Sequence, residues 1–275
     1  MMETIPIRNP FPGAVAYSTS TIESTQGEAR RLAGARNLPE ARFPPGSVIA
    51  AEAQTAGRGR IPGRQWQSEA GKNLLFTVFL DAGSASLPGL PIRIGVALCS
   101  AASLYAEKAA ASFARQPKLK WPNDLMFGDL KAAGILCEAG PFGVFAGIGL
   151  NCNQVAFPRE LESRATSLAI ELGREVDRRV LLELFLEALA DSLVDREWRR
   201  KADERLWKRG ESAIFLPGAA VSGPGQGRGA IVGTPEGVDE AGSLLFKGKG
   251  AAEAIAYATG EFGAGKQVDR GPSAL

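Results

Sequence analysis

Short apolar segments rich in β-branched and aromatic residues recur along this chain of 275 residues, and they restrict its fold more than any other feature. Residues 47–54 (SVIAAEAQ) and 73–80 (NLLFTVFL) are typical of β-strands. Residues 92–111 are rich in alanine and carry apolar residues at helical spacing, which predicts a buried helix. This mixture predicts an α+β chain, and three later segments predict further strands: LKWPNDLMF (119–127), KAAGILCEA (131–139) and VFAGIGLNCN (144–153).

Two further helices are predicted at opposite ends of this region. The first begins with Ser24 or Thr25 as N-cap, carries Glu28 in its first turn and ends near Gly34. The second covers residues 180–209, with an apolar first half and a densely charged second half. Residues 178–209 contain nine basic and seven acidic side chains, and this mixture favours a solvated helix face over a nucleic-acid surface.

The pattern of residues along the sequence changes after Gly210. Short β-like segments alternate there with glycine-containing turns, which predicts a small all-β module of about 50 residues, plausibly a barrel. The chain therefore divides into an irregular lead-in (1–14), a main domain (15–211), a small β domain (212–262) and a flexible tail (263–275).

The chain contains no histidine, so Ser-His-Asp catalysis, histidine-ligated zinc and imidazole general bases are all excluded. Lysine and arginine number 32 against 30 aspartate and glutamate residues, and the net charge of +2 is too balanced for a protein that mainly binds a polyanion. Any chemistry must use lysine, arginine, aspartate, asparagine and backbone groups.

The cysteines and the apolar segments bear on the cellular compartment. Cys99, Cys137 and Cys152 are far apart and odd in number, which predicts small buried residues in a reducing compartment. The N-terminus has no signal-peptide pattern, and the uncharged residues 139–158 contain four glycines and two prolines, which argues against a membrane span. We therefore expect a cytoplasmic protein without a membrane partner.

A loop between the first two predicted strands is rich in glycine and arginine. From Gln54 to Gln67 it contains Arg58, Arg60 and Arg64 and no acidic residue. Glycines allow a close backbone approach, and guanidinium groups offer paired donors to phosphate or carboxylate. The loop therefore predicts an anion site, although a solvated surface loop would have the same composition.

A second candidate site surrounds Pro122, which cannot donate to a β-ladder and must end or distort its strand. Asn123 and Asp124 then lie at a strand end or turn, where functional groups are often presented. Lys131 opens the next strand, whose interior is apolar, so its charge needs a partner. An anionic ligand is one candidate, and a lysine that extends to the sheet edge is the alternative.

Six motifs occur together in one order, and together they resemble the biotin–protein ligase family over residues 17–262. The resemblance implies a mixed β-sheet flanked by helices, as in class II synthetases, with an SH3-like barrel at the C-terminal end. The motifs are Glu23-Ser-Thr-Gln26, Gln54-x-x-Gly-Arg-Gly-Arg60, Trp66, Lys120-Trp-Pro-Asn-Asp124, Lys131-x-x-Gly-Ile-Leu136 and Gly147-Ile-Gly-Leu-Asn151.

The family resemblance implies an ATP-dependent ligase that activates biotin to biotinyl-5′-AMP and transfers it to a lysine. The implied acceptor is the biotin carboxyl carrier protein domain of acetyl-CoA carboxylase, and the implied small molecules are biotin, ATP and Mg²⁺. Attack of a carboxylate on a phosphate requires positioning and cationic screening more than acid–base catalysis, which suits a chain without histidine. A homodimer is possible, whereas about 23 residues before the first motif are too few for a DNA-binding module.

The resemblance also assigns roles to individual residues, with two departures from the family pattern. Gln26 stands where the family has asparagine, and the loop between Arg60 and Arg64 is one residue longer and contains Pro62. Magnesium has no fixed protein site and would lie near Asp124. The implied biotin contacts are Ser24, Thr25, Gln26, Gln54, Gly57, Arg58, Gly59, Arg60, Lys131 and Gly134; the implied ATP or adenylate contacts are Arg58, Arg60, Trp66, Lys120, Asn123, Asp124 and Asn151; and the implied catalytic residues are Arg58, Arg60, Asp124 and Lys131.

Two other functions remain open at this point. A lipoate–protein ligase would have a related fold, but the Gly-Arg-Gly-Arg and Lys-Trp-Pro-Asn-Asp motifs favour biotin. A catalytically silent biotin-binding protein is the other alternative, and the presence of both Lys131 and Asp124 argues against it.

Overall fold

The computed structural model describes residues 2–35, 43–61, 63, 65–218 and 229–263. Pro62, Arg64 and the predicted tail from residue 264 onward lie outside the described residues. The contacts within the chain divide it into two compact units, Met1–Trp207 and Lys208–Leu275.

The first unit is built on an eight-stranded mixed sheet, as predicted. Strands β2 and β3 pair in parallel, and the other neighbours pair antiparallel in the order β1-β2-β3-β4-β8-β7-β6-β5. The short β1 lies within the segment that the sequence predicted to be irregular. The strands are β1 (Glu3–Thr4), β2 (Ala16–Ile22), β3 (Val48–Gln54), β4 (Leu74–Leu80), β5 (Pro117–Lys120), β6 (Asp124–Phe127), β7 (Leu130–Gly140) and β8 (Gly143–Leu150).

The described residues of the first unit contain five α-helices. The predicted start of the first one is confirmed, because the Ser24 side chain accepts a hydrogen bond from the backbone N–H of Gly27 and so caps the helix. None of the described helices combines the length and the apolar character that crossing a membrane requires. The helices are α1 (Thr25–Gly34), α2 (Leu90–Lys108), α3 (Leu168–Leu172), α4 (Arg178–Val194) and α5 (Trp198–Arg205).

The segment LKWPNDLMF forms two strands and a turn instead of the single predicted strand. Pro122 has no amide hydrogen for the ladder, and the backbone N–H of Asn123 turns back to the carbonyl oxygen of Lys120 at 3.2 Å. The prediction that proline interrupts the strand is confirmed, and Asp124 becomes the first residue of β6.

The predicted helix over 180–209 is likewise two helices, α4 and α5, with a break after Val194. Neither glycine nor proline marks this break in the sequence. The buried guanidinium of Arg93 donates to the carbonyl oxygens of Ser192 and Asp195, at 2.6 and 2.9 Å. The Asp195 carboxylate accepts the N–H of Glu197. The break is therefore stabilised by a residue about 100 positions away, which no local pattern could indicate.

The middle of the sheet is buried on both faces. All seven residues of β4 are buried. Phe79 stacks with Phe43 and Phe145 in a cluster that α1 covers with Ala29 and Ala33. Phe76, three positions earlier and so on the opposite face, packs edge-on against Phe185 of α4 at 5.3 Å. This two-sided burial explains why β4 is a continuous apolar run rather than an alternating one.

The second unit contains a five-stranded antiparallel sheet in the order β12-β11-β10-β9-β13. Phe215 lies at the centre of its core and contacts the rings of Phe246, Tyr257 and Phe262. The all-β content is as predicted, although no segment of the sequence analysis predicted β13. The pairings between the described strands do not close this sheet. The strands are β9 (Ala213–Pro217), β10 (Ile231–Val238), β11 (Leu244–Gly248), β12 (Ile255–Tyr257) and β13 (Gly260–Phe262).

Candidate active site

An open cavity in the first unit collects residues from five separate segments of the chain. Its empty space, including the open solvent at its mouth, measures about 520 Å³. Three lining residues are cationic, and none is acidic. The lining residues are Ser24, Thr25, Gln26, Gln54, Arg58, Gly59, Arg60, Trp66, Asn123, Lys131, Gly134, Ile135, Leu136, Gly147, Ile148 and Gly149.

Glycines on β7 and β8 make room for larger side chains above the sheet. A Cβ atom on Gly149 would lie 2.5 Å from Cε2 of Trp66, and one on Gly134 would lie 3.2 Å from Cζ3 of the same ring. A Cβ atom on Gly147 would lie 2.8 Å from Cδ of Gln26. A side chain at Gly147 or Gly149 would displace Gln26 or Trp66, which occupy the space directly over the backbone, and one at Gly134 would be tight.

The start of α1 is joined to the end of β3 by hydrogen bonds. Gln54 Oε1 accepts from the backbone N–H of Thr25 at 2.8 Å and from its hydroxyl at 3.1 Å. The Thr25 hydroxyl also lies 2.8 Å from that of Thr77, and since its own hydrogen goes to Gln54, Thr77 must be the donor. These bonds hold the two segments in one position at the cavity.

Gln26 ties the start of α1 to the sheet. Its Nε2 donates to the carbonyl oxygens of Leu136 on β7 and Phe145 on β8, each at 2.9 Å. The residue is 6% exposed, so these bonds satisfy a buried amide nitrogen.

The glycine- and arginine-rich loop folds back on itself. The N–H of Trp66 donates to the carbonyl oxygen of Gly57 at 3.2 Å, and Arg58 forms an isolated antiparallel bridge with Gln65. Arg58 lies 4.0 Å from the carboxylate of Glu138 on β7, which also pairs with Arg30 of α1. The loop thereby presents Arg58 and Arg60 to the cavity.

Lys131 has a partner within the protein. Its Nζ lies 2.7 Å from Oδ1 of Asp124 and 5.6 Å from the centre of the Trp66 ring. The Asp124 oxygen is buried, and its contact with the ammonium group is an ion pair. The charge is presented to the cavity, not at the sheet edge as the alternative interpretation would have it.

Eleven of the residues that the sequence singled out line the cavity together. The other four residues do not line it. Gly57 packs beneath Trp66, and Asp124 reaches the cavity through Lys131. Asn151 is buried, and its amide donates to the carbonyl oxygen of Thr166. Lys120 lies over the ring of Trp207, with 4.8 Å between its Nζ and the ring centre. The roles of all fifteen residues remain predictions.

Five lining residues were not singled out: Ile135, Leu136, Gly147, Ile148 and Gly149. All of them lie inside motifs that the sequence analysis quoted. The β7–β8 register places Ile135 opposite Ile148 and Leu136 opposite Gly147. The motifs contained the signal, but the register needed to place these residues in one cavity depends on the pairing of two strands.

The arrangement suits an anionic ligand with an apolar part. Arg58, Arg60 and Lys131 can bind carboxylate or phosphate oxygens, while Trp66 and the isoleucines of β7 and β8 provide an apolar surface. Within the described part of the chain, no three histidine, cysteine or carboxylate side chains come together as a metal site.

Comparison with known proteins agrees with this geometry. A family model for the biotin/lipoate A/B protein ligase family matches residues 19–153. The bifunctional ligase/repressor BirA of Bacillus spizizenii is 36% identical over 174 residues, which cover 60% of this chain and 49% of that protein. The chain therefore spans about half the length of this relative.

Two further comparisons cover nearly the whole of the compared protein. The biotin–[acetyl-CoA-carboxylase] ligase of Paracoccus denitrificans is 30% identical over 259 residues, 88% of this chain and 98% of that one. The structure of the biotin protein ligase from Aquifex aeolicus in complex with biotin and ATP superposes with a TM-score of 0.72 at 28% identity. That superposition covers 92% of this chain and 98% of the other.

Proposed function

The chain belongs to the biotin/lipoate A/B protein ligase family, and we propose that it is a biotin–protein ligase that acts in two steps. In the first step the biotin carboxylate attacks the α-phosphorus of ATP, and the bond from that phosphorus to the bridging oxygen breaks. This forms biotinyl-5′-AMP and releases pyrophosphate. In the second step a lysine amine attacks the acyl carbon, an amide forms and AMP leaves.

The cationic cavity is the observation that carries this proposal. The first step brings a carboxylate against a triphosphate, and their repulsion is the main obstacle. Arg58, Arg60 and Lys131 line the same cavity, whose lining contains no acidic residue. Cations already in position screen the two anions without reorganisation during the reaction, so no histidine is needed.

The apolar and amide-rich part of the cavity would hold the biotin rings. Two hydrogen bonds between α1 and β3 hold Thr25 and Gln54 there, and Ser24 is held by the bond that it accepts from the N–H of Gly27. We assign Lys131 to the biotin carboxylate and the α-phosphate, with Trp66 beside the adenine. Arg58 and Arg60 would close over the adenylate and exclude water from it.

We assign Asp124 to the second step. Its carboxylate would orient the acceptor lysine and accept a proton from the amine. The ion pair with Lys131 holds the carboxylate beside the cavity. The proposed acceptor is a biotin carboxyl carrier domain of acetyl-CoA carboxylase, the enzyme named for the Paracoccus relative.

Magnesium would enter with ATP, whose phosphate oxygens are hard ligands of the kind that this ion prefers. The described residues offer it no fixed site, and the ion would lie near Asp124, whose Oδ1 pairs with Lys131. A bound Mg²⁺ would add to the screening of the triphosphate.

The finer organisation of the chain also belongs to this proposal. We infer that the five-stranded sheet of the second unit is an SH3-like barrel and that the domains divide at residues 15–211 and 212–262. Homodimerisation and the absence of DNA binding remain predictions.

The direct experiment incubates the protein with biotin and MgATP and measures pyrophosphate release and biotinyl-AMP by mass spectrometry. Addition of a carrier domain should then consume the adenylate and increase the mass of the carrier by one biotinyl group. Biotin-dependent pyrophosphate release is the expected result. Release with lipoate but not with biotin would identify the alternative ligase, and binding of biotin without turnover would identify a silent binding protein.

A further inference from the structure

Asn73, the residue before β4, is only 1% exposed, and its carboxamide bonds to two other segments of the chain. Its Nδ2 donates to Ser68 Oγ at 2.9 Å and to Gln154 Oε1 at 2.6 Å. Its Oδ1 accepts from the backbone N–H of Cys152 at 3.0 Å. One buried side chain therefore joins the segment that follows the arginine-rich loop to the segment that follows β8.

Gln154 completes the same connection. Its Oε1 also accepts from the backbone N–H of Glu69 at 3.1 Å, and its Nε2 donates to the carbonyl oxygen of Ala156 at 2.9 Å. Gln154 is 5% exposed, so these bonds satisfy a second buried carboxamide. Asn73 and Gln154 thus form a buried network in which the nitrogen and the oxygen of each amide are paired, and such a network favours a single arrangement.

This network lies next to both partners of one contact in the cavity wall. Trp66 is two residues before Ser68, and its indole ring lies over Gly149, three residues before Cys152. Among the described residues no acceptor reaches the buried Nε1 of the indole. The position of the ring therefore depends on packing and on the backbone on either side of Trp66. On the N-terminal side that backbone is held by Gly57, whose carbonyl oxygen accepts the N–H of Trp66.

We propose that Asn73 is a positioning residue that holds Trp66 over Gly149 and thereby shapes the nucleotide side of the cavity. Asn73 is not a lining residue, so it acts through the two backbone segments that it joins. This inference rests on the proposed function, because that function places Trp66 beside the adenine. Without the Asn73 side chain the two segments lose their common hydrogen-bond partner, and the indole can move away from β8.

The test compares the KM for ATP with the KM for biotin in biotin-dependent pyrophosphate release. Asn73→Ala removes all three side-chain bonds and should raise the KM for ATP about tenfold, while the KM for biotin changes less than twofold. A merely structural residue would behave differently. Its loss would reduce the fraction of folded enzyme and so the apparent kcat, without separating the two KM values.

A double-mutant cycle tests whether Asn73 acts through Trp66. If it does, Asn73→Ala should cause no further rise in the KM for ATP in a Trp66→Ala background, because the ring that it positions is absent. An equal rise in both backgrounds, or an equal change in the KM for ATP and the KM for biotin, would make Asn73 a structural residue and overturn the inference.

Asn153→Ala is the matched control. Asn153 follows Cys152, but its carboxamide bonds to the backbone N–H and C=O of Val176, so the KM for ATP should equal that of the wild type. If Asn73→Ala does not fold, Ser68→Ala decides the question, because it removes one partner of Asn73 at a half-buried position and should raise the KM for ATP about threefold.

An unchanged KM for ATP in the folded variant overturns the inference while the proposed function stands. A folded wild type that releases no pyrophosphate with biotin and MgATP overturns both.

Discussion

Single charged residues in the site have partners on other elements. Lys131 of β7 pairs with Asp124 of β6, and Glu138 of β7 lies between the guanidinium groups of Arg30 and Arg58. These side chains are partly exposed, so each pair contributes at most about 1 kcal/mol to folding. Their main effect is to hold cations at the cavity, where an anionic ligand can reach them.

Lys131→Ala should abolish most biotinyl-AMP formation while the fold persists. It removes a positioned cation, and loss of one such group commonly costs about 3–4 kcal/mol, or a factor of several hundred in rate. The measurement is biotin-dependent pyrophosphate release. Lys118→Ala is the matched control, because Lys118 lies on β5 and donates to the carbonyl oxygen of Glu204 away from the cavity. Equal rates for Lys131→Ala and the wild type would make Lys131 a structural lysine.

Gly149→Ala should displace Trp66. The added carbon would lie 2.5 Å from the indole ring, closer than nonbonded atoms can approach, and Gly149 is paired on both sides within the sheet. We expect the KM for ATP to rise about tenfold, with a change in the tryptophan emission. Gly27→Ala on the exposed side of α1 is the control, since its Cβ atom would meet only ordinary contacts from 3.6 Å. A normal KM for ATP in Gly149→Ala would separate Trp66 from nucleotide binding.

At the scale of elements, rigid strands form the wall of the cavity, and a loop supplies Arg58 and Arg60 to it. β4 is buried along its whole length, and β7 and β8 form eight consecutive residue pairs. The loop from Gln54 to Trp66 instead projects from β3, and the Arg58 side chain is 56% exposed. Loops on a rigid scaffold are the elements whose order a ligand most easily changes.

Trypsin should cut this loop after Arg58 or Arg60, and biotinyl-AMP should slow the cleavage at least tenfold. The arginines repel one another until an anion binds, and the ordered loop no longer fits a protease. Cleavage after the exposed Arg174 is the internal control, because that residue lies outside the site and its rate should not depend on ligand. Equal cleavage of the loop with and without biotinyl-AMP would contradict closure.

At the scale of the whole molecule, each unit has its own aromatic core. Phe79 is central in the first unit and Phe215 in the second, each in contact with two or more aromatic rings. The cysteines all belong to the first unit, and Cys99 and Cys152 are completely buried in it. Their reactivity therefore reports whether the first unit is folded.

Burial raises the pKa of the Cys99 thiol to about 11 and that of the Cys152 thiol to about 12, from an ordinary value of 9.0. The thiolate is the reactive form, so both cysteines should resist a disulfide reagent at about pH 8 in the native protein and react at once in denaturant. Since the folded pKa values are raised, their stabilising contribution is complete below about pH 9 and is lost as the pH rises through 11–12. The measurement is the number of thiols that have reacted with the reagent as a function of time. Fast native reaction of either cysteine would contradict burial.

Local patterns predicted much of the fold, and local patterns together with the family resemblance predicted most of the candidate site. The N-cap at Ser24, the strands β3 and β4, the buried helix α2 and the strand break at Pro122 each follow from chemistry within a few residues. The arginines of the loop were identifiable because cations without nearby acids need an anion, and Lys131 because a charge that opens an apolar strand needs a partner.

The tertiary structure alone decided the remaining features, because their causes lie far away along the chain. Arg93 stabilises the break between α4 and α5. The pairing of β7 with β8 brings the glycine-containing motifs at 131–136 and 147–151 together in one wall of the cavity. Asp124 as the partner of Lys131 depends on β6 lying beside β7. The orientation of Gln26, which leaves its oxygen toward the cavity, depends on two carbonyl groups 110 and 119 residues away. The sequence by itself determined which groups are present, and the sheet determined which of their atoms remain to contact a ligand.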